Sequence, residues 1–188
     1  MNILFRRIAR HLPTNIHHRA MSSRKHCIAI CQLTCSADKA RNLATTTKLV
    51  REAKSAGAEF VFLPEACDYI ESSPQASVQA AESLDGEFIS RCRQLSAELN
   101  VWISVGSFHR KATGGDSSKI YNTSVIVDGE GQIRSVSDKI HLFEANIAGE
   151  GSLSTRLGEA DFTHPGGSLY MPVETPIGNL ANCIVSWG

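Results

Sequence analysis

Glu65 stands one residue beyond a short apolar run, Phe60-Val61-Phe62-Leu63, with only Pro64 between them. The run is too brief for a helix and is rich in aromatic and β-branched side chains. That is the pattern of a strand buried on both faces of a parallel sheet. Proline has no N–H to offer a neighbouring strand and so ends it. Glu65 is thereby placed at the strand's carboxyl end, the edge at which open α/β sheets bind ligands. A carboxylate held against an apolar wall has its charged form disfavoured and becomes a better proton acceptor. The same position also suits a glutamate that points into water or caps the next helix. Six cysteines, at 27, 31, 35, 67, 92 and 183, lie without paired spacing and without a secretory signal, which points to reduced thiols. Cys27, Cys31 and Cys35 recur every four residues, yet no companion histidine cluster or zinc-ligand spacing goes with them. Their segment reads as strand, and they are better explained as small buried hydrophobes. Lys139, taken alone, reads as a solvated residue after a hairpin.

The elements that must position Glu65 follow from periodicity. Residues 26–33 read as a first strand. Residues 37–56 carry apolar side chains at Leu43, Leu49, Val50 and Ala53 with Lys and Arg between, and Gly57 sits where a helix is closed by a left-handed residue. With the Phe60 strand this makes a right-handed βαβ unit. After a polar passage over 71–81 and a turn at Leu84-Asp85-Gly86, residues 87–100 place Phe88, Cys92, Leu95 and Leu99 on one helical face. Val101 to Val105 is the next buried strand, and 106–116 reads as a polar loop. Strands at 120–127 and 132–137 are joined by Asp128-Gly129-Glu130-Gly131, a strong hairpin signal. Beyond Lys139 the periodicity fades. Residues 148–167 read as a long surface loop, and 170–174 and 177–184 as two short strands turned at Thr175-Pro176.

Composition narrows the field. A chain of 188 residues, 42% hydrophobic and 20% charged, is long enough for one domain with a sizeable core. Its 19 basic and 19 acidic side chains balance, which removes the electrostatic case for a nucleic-acid or anionic-membrane partner. No apolar run approaches the roughly 20 residues that span a bilayer. The balance is uneven along the chain: no acid precedes Asp38, while Arg6, Arg7, Arg10, Arg19, Arg24 and Lys25 crowd the start. Residues 1–12 read as a short amphipathic helix. Residues 1–24 are therefore expected to be a basic leader of the mitochondrial transit type, with a cytoplasmic product started at Met21 as the alternative. No internal repeat, G-x-G-x-x-G or P-loop is present, so a nucleotide-binding α/β domain has only the βαβ pattern in its favour.

With these landmarks in place, residues 25–180 resemble the carbon–nitrogen hydrolase (nitrilase) superfamily, and within it the deaminated glutathione amidase branch. Four motifs carry the resemblance in order: IAICQLTC at 28–35, FVFLPEACDYI at 60–70, KIYNTSVIVDGEGQI at 119–133 and DKIHLFEANIAGEG at 138–151. The resemblance implies a four-layer α-β-β-α sandwich, of which residues 25–188 would supply the N-terminal portion. It implies a Glu-Lys-Cys triad in which Glu65 matches the general base and Lys139 the lysine. His141 and Phe143 belong to the lysine motif as scaffold, and Tyr121-Asn122 as strand leading to the site. It also implies a small-molecule amide as substrate, no metal or organic cofactor, and assembly at least as a dimer.

Two departures from the family pattern stand out. The family's nucleophile follows T-P-x-G in an elbow of the type G-x-x-G-L-x-x-C-Y-D-x-R-F. Thr175-Pro176-Ile177-Gly178-Asn179-Leu180 begins in that way, but the nucleophile's place falls on Val185, and Cys183 stands two residues early. Two residues along a strand displace a side chain by roughly 6–7 Å, too far for a nucleophile that must meet its base. Cys183 is therefore expected to be a buried strand cysteine. The second departure concerns a further family glutamate past the lysine loop, whose place falls on Thr155, with Glu159 displaced. The sequence thus supports an amidase of the superfamily without its nucleophile in the expected place, or a catalytically inactive fragment that associates with a full-length homologue.

Overall fold

The computed structural model describes residues 3–6, 25–113, 117–148 and 154–185. Six strands form one sheet in the order of the chain: β1 (Ile3–Arg6), β2 (Ile28–Cys31), β3 (Phe60–Phe62), β4 (Trp102–Lys111), β5 (Ile120–Val127) and β6 (Ile133–Asp138). β2, β3 and β4 run parallel, and β5 and β6 return antiparallel. The crossovers are made by α1 (Lys39–Ser55) and by α2 (Pro74–Ala80) with α3 (Glu87–Leu99). A parallel pair needs such a crossover, because a tight turn can only reverse a strand.

Local chemistry sets the helix ends. Asp38 accepts the backbone N–H of Arg41 at 3.0 Å and so caps α1. Gly57 closes it at a φ of +91°, a conformation that glycine adopts without a Cβ penalty. Asn100 plays the same part for α3 at a φ of +46°. The register then builds the core. Ala29, Val61, Ile103 and Val127 stand opposite one another across β2–β5, and Leu49, Val50 and Ala53 of α1 and Ile89, Cys92 and Leu95 of α3 join them in one buried cluster. The other face carries Ile28, Phe60 and Trp102 in one row and Ile30, Phe62, Ser104, Ile126 and Ser135 in the next. Phe60 and Phe62 stack there with ring centroids 4.6 Å apart.

Three expectations need correction. Ile3–Arg6 pairs as a strand against β2, whereas its spacing reads as helix; four residues satisfy either period, and the free edge of β2 decides. The rest of the expected leader lies outside the described residues. Second, β4 does not stop at Val105 but runs on to Lys111, with a bulge between Val105 and Phe108. The polar residues there look like loop because their partners are distant in sequence, in the turn that carries Glu65. Third, the expected loop over 148–167 contains β8 (Ser154–Gly158), which forms a hairpin with β7 (Glu144–Ala148) leading into it, and then a 3-10 turn at Glu159–Asp161. The two C-terminal strands are present but short, β9 (Val173–Thr175) and β10 (Gly178–Leu180).

Candidate active site

Glu65 lies just beyond the carboxyl end of β3, in a turn clamped to the β4 bulge. Leu63 still donates to the Ser104 carbonyl at 2.9 Å. Pro64 cannot donate, and its carbonyl instead accepts from Ser107 at 3.3 Å. Ala66 turns at a φ of +50° and donates to Ser107 Oγ at 2.8 Å, and Cys67 donates to the Ser107 carbonyl at 3.0 Å. Ser107 therefore satisfies the turn on both sides of Glu65. Gly106 lets the two backbones approach: a Cβ there would stand 2.2 Å from the Leu63 carbonyl oxygen.

Lys139 arrives from the far side of the sheet, at the end of β6. Its N–H donates to the Asn122 carbonyl at 2.8 Å, which continues the β5–β6 ladder by one more rung. Beside it, Arg110 grips both oxygens of Asp138 at 2.8 and 2.9 Å, and Thr123 Oγ1 donates to Asp138 at 2.6 Å. The Lys139 side chain is nearly buried, and Nζ donates to Glu65 Oε1 at 2.9 Å. The two residues that sequence reading singles out, 74 positions apart, are in direct contact.

Two further groups join them. Glu159 receives Lys139 Nζ at 3.0 and 3.2 Å on its two oxygens and the Phe143 N–H at 2.7 Å. Asn122 donates from Nδ2 to Glu65 Oε1 at 2.8 Å. Counting along the chain puts Thr155 where Glu159 is needed. The structure instead places Thr155 within β8, opposite Ile147, and brings Glu159 down onto the lysine. The hairpin extends the path between the two motifs, and residues 162–164 then fasten to Ile120 by hydrogen bonds of 2.9 and 2.7 Å, holding the turn in place. No local signal marks that detour. Asn122 has a signal that sequence reading passes over: a polar side chain at an inward position of a strand destined for burial. Phe143 holds Glu159 through its backbone, as scaffold, while His141 is exposed.

Burial alone works against a charged Lys139, but the hydrogen bonds and negative charges of Glu65 and Glu159 outweigh it. They hold the ammonium's pKa above the ordinary 10.5. Of the two Glu65 oxygens, Oε1 takes both hydrogen bonds, from Asn122 and Lys139, and its side chain is 44% exposed. A fixed carboxylate with one oxygen spare, beside a locked cation, can accept a proton and stabilise a developing negative charge.

No cysteine among the described residues hydrogen-bonds to Glu65 or Lys139. Cys67, two residues from Glu65, is fully buried and binds the Ser107 carbonyl at 3.1 Å; burial pushes its thiol well above the ordinary range. Burial likewise pushes Cys92 to about 12 and Cys31 and Cys35 to about 11. Cys183 is exposed and belongs to no strand, contrary to the buried strand cysteine expected. The reason is its neighbour. Asn182 accepts from Ser124 Oγ at 2.7 Å and so pins the segment on β5, and the residue after it turns outward. Brief treatment of the folded protein with iodoacetamide at neutral pH will therefore label Cys183 ahead of Cys67 and Cys92. Those two will react only after denaturation, as peptide mass mapping will read directly.

A groove of about 620 Å³ lies between α1 and α3, lined among others by Leu43, Thr47, Arg51 and Arg91. It is on the helical side of the sheet, away from Glu65 and Lys139, and its Arg51 is paired with Glu98 at 2.7 Å.

Comparison with known proteins gives the family and the fold. Residues 27–186 match the carbon-nitrogen hydrolase family. The chain is 37% identical to human deaminated glutathione amidase over 154 residues, covering 81% of this chain and 46% of that one. It is 35% identical to the mouse protein of the same name over 158 residues, covering 84% and 48%. Among solved structures, the Caenorhabditis elegans NitFhit protein superposes with a TM-score of 0.72 at 33% identity, over 82% of this chain and 36% of that one. A Saccharomyces cerevisiae member of the nitrilase superfamily shares the fold, with a TM-score of 0.64 over 82% of this chain and 53% of that one. The chain thus spans about half the length, or less, of the relatives it matches. The chain belongs to the carbon–nitrogen hydrolase family and is similar within it to the deaminated glutathione amidases.

Proposed function

We propose that this protein is an amidase-type member of its family, built to hydrolyse the linear C–N bond of a small amide such as deaminated glutathione or a related ω-amide. The observation that supports this is the Glu65 carboxylate, held by Lys139 and Asn122 through one oxygen only. In the reaction Glu65 takes the proton of a cysteine thiol as its sulfur adds to the amide carbonyl carbon, and the Lys139 ammonium stabilises the oxyanion. Glu65 delivers a proton to the nitrogen, the C–N bond breaks, ammonia leaves and a thioester remains. Glu65 then takes a proton from water as the water oxygen attacks the thioester. The C–S bond breaks, Glu65 returns its proton to the departing sulfur, the carboxylic acid product departs, and thiol and carboxylate are restored. Splitting amide cleavage into two acyl transfers lowers each barrier.

A second reading rests on Cys183, which is exposed and without a bond to Glu65 or Lys139, together with the family pattern, whose count puts the nucleophile's place at Val185. On that reading the chain is inactive and associates with a full-length homologue. Ammonia release from an ω-amide, measured for the 188-residue chain with Glu65→Gln and Cys183→Ala, separates the two. Turnover lost in Glu65→Gln supports the amidase, and its loss in Cys183→Ala as well would make that thiol the nucleophile. No turnover, together with co-purification of a longer homologue, supports the second.

A further inference from the structure

Asn122 is 6% exposed, and one residue serves both members of the central ion pair. Its Nδ2 donates to Glu65 Oε1 at 2.8 Å, and its carbonyl accepts the Lys139 N–H at 2.8 Å. Its cross-strand partner on β4 is His109, whose Nδ1 is held by the buried Asp68 at 2.9 Å and whose ring stacks on Tyr69. The amide has one sensible orientation, because the reverse would set Oδ1 against the Glu65 carboxylate, acceptor facing acceptor. That orientation leaves Oδ1 buried with no hydrogen-bond partner. A buried acceptor left unpaired destabilises a fold, and an apolar side chain of the same shape would avoid it. Asparagine at this position is therefore poorly explained by packing and well explained by the single bond it makes to Glu65.

We propose that Asn122 is a positioning residue of the site. With Lys139 it holds Glu65 by Oε1, so that Oε2 is the oxygen presented for proton transfer. The assignment deepens the amide-hydrolysis reading above and rests on it for the chemistry, but not for the contact.

The test uses the whole 188-residue chain, labelled for NMR, with Asn122→Leu and with Ser124→Ala as control. Ser124 is two residues along the same strand face and bonds the Val105 carbonyl and Asn182. Positioning predicts that Asn122→Leu melts within about 2 °C of the parent or above it, since an orphaned oxygen is removed. The two Glu65 γ-protons, distinct while the side chain is held in one rotamer, should merge toward the average of a free glutamate; Ser124→Ala should leave them distinct. Where the parent releases ammonia, Asn122→Leu should lose at least about tenfold in kcat with KM little changed. A merely structural role predicts the opposite, a clear fall in melting temperature with Glu65 still ordered, and that result overturns the proposal. Should Asn122→Leu fail to fold, the Asn122 side-chain amide signals are read in Glu65→Gln instead. A marked shift on that substitution supports the bond, and unchanged signals refute it. Neither NMR readout needs turnover, so a parent that releases no ammonia counts against the amidase reading and leaves Asn122 to be judged on Glu65 alone.

Discussion

Gly106→Ala should lower the melting temperature by about 6–12 °C, because its added Cβ would meet backbone at a shorter distance than at Gly86, Gly131 or Gly166. The added Cβ would stand 2.2 Å from the Leu63 carbonyl oxygen and 2.5 Å from both the carbonyl carbon and oxygen of Pro64. These are backbone atoms, so no side chain can rotate away, and the end of β3 must part from the β4 bulge. Overpacking of this kind costs about 3 kcal/mol, and for a chain of this length each kcal/mol is worth about 2–4 °C. The Ser107 to Pro64 bond would open, and Glu65, next along the chain, would move off Lys139 and Asn122. Gly167→Ala is the control, because a Cβ there meets nothing within 4 Å and its melting temperature should stay within about 1 °C of the parent. Calorimetry of the two variants decides it; a Gly106→Ala protein that melts with the parent would show that the two backbones do not touch.

Lys139→Met should have the largest effect on the site itself. Lys139 is 3% exposed and is the cation between Glu65 and Glu159. Methionine keeps much of the side chain's bulk and leaves two carboxylates facing each other with no positive charge between them. Removing one partner of a fully buried ion pair costs about 3–5 kcal/mol. Here Glu65 keeps 44% of its side chain in water, so about 2 kcal/mol is the better figure, a fall of about 4–8 °C. On the amidase reading, ammonia release should also drop by about 10²–10³-fold, the usual effect of deleting one group that stabilises an oxyanion. The pH dependence has a definite sign. Lys139 has its pKa raised by folding above the ordinary 10.5. Its contribution is therefore fully present below the unfolded lysine pKa and is lost as pH rises through the raised folded value. The stability gap between parent and Lys139→Met should hold steady across neutral pH and narrow only above about 10.5, as urea titrations at a series of pH values will show. A gap that closes near neutrality would mean that the lysine is not charged in this pair.

The elements that bury apolar side chains in a regular rhythm are legible from residue order alone. The Phe60 run, the 87–100 helix and the Asp128-Gly129-Glu130-Gly131 hairpin all appear where their patterns put them, because each pattern is local. The errors share a cause. The polar stretch 106–111 reads as loop because Ser107 and His109 find their partners at Pro64, Ala66, Cys67 and Asp68, some forty residues away. The stretch beyond Lys139 likewise hides a hairpin, over 144–158, whose pairing gives no alternating apolar signal.

The site divides in the same way. Glu65 and Lys139 are marked by their motifs, and Glu65 also by its place after a buried strand and a proline. Asn122 and Glu159 are assigned by contact: Asn122 because β5 lies beside the bulged β4, Glu159 because a hairpin and a 3-10 turn carry it back over the lysine. Cys183 goes the other way, a residue type suited to the chemistry that the tertiary structure leaves exposed. Residue order by itself determined the α/β class, the main strands and helices, the family motifs and two chemical groups of the site. Only tertiary structure decided which oxygen of Glu65 is held, what balances the charge of Lys139 and where each thiol lies. Propensity and periodicity act over one or two turns of chain, whereas a hydrogen bond between residues 57 or 74 positions apart exists only once the sheet has brought them together.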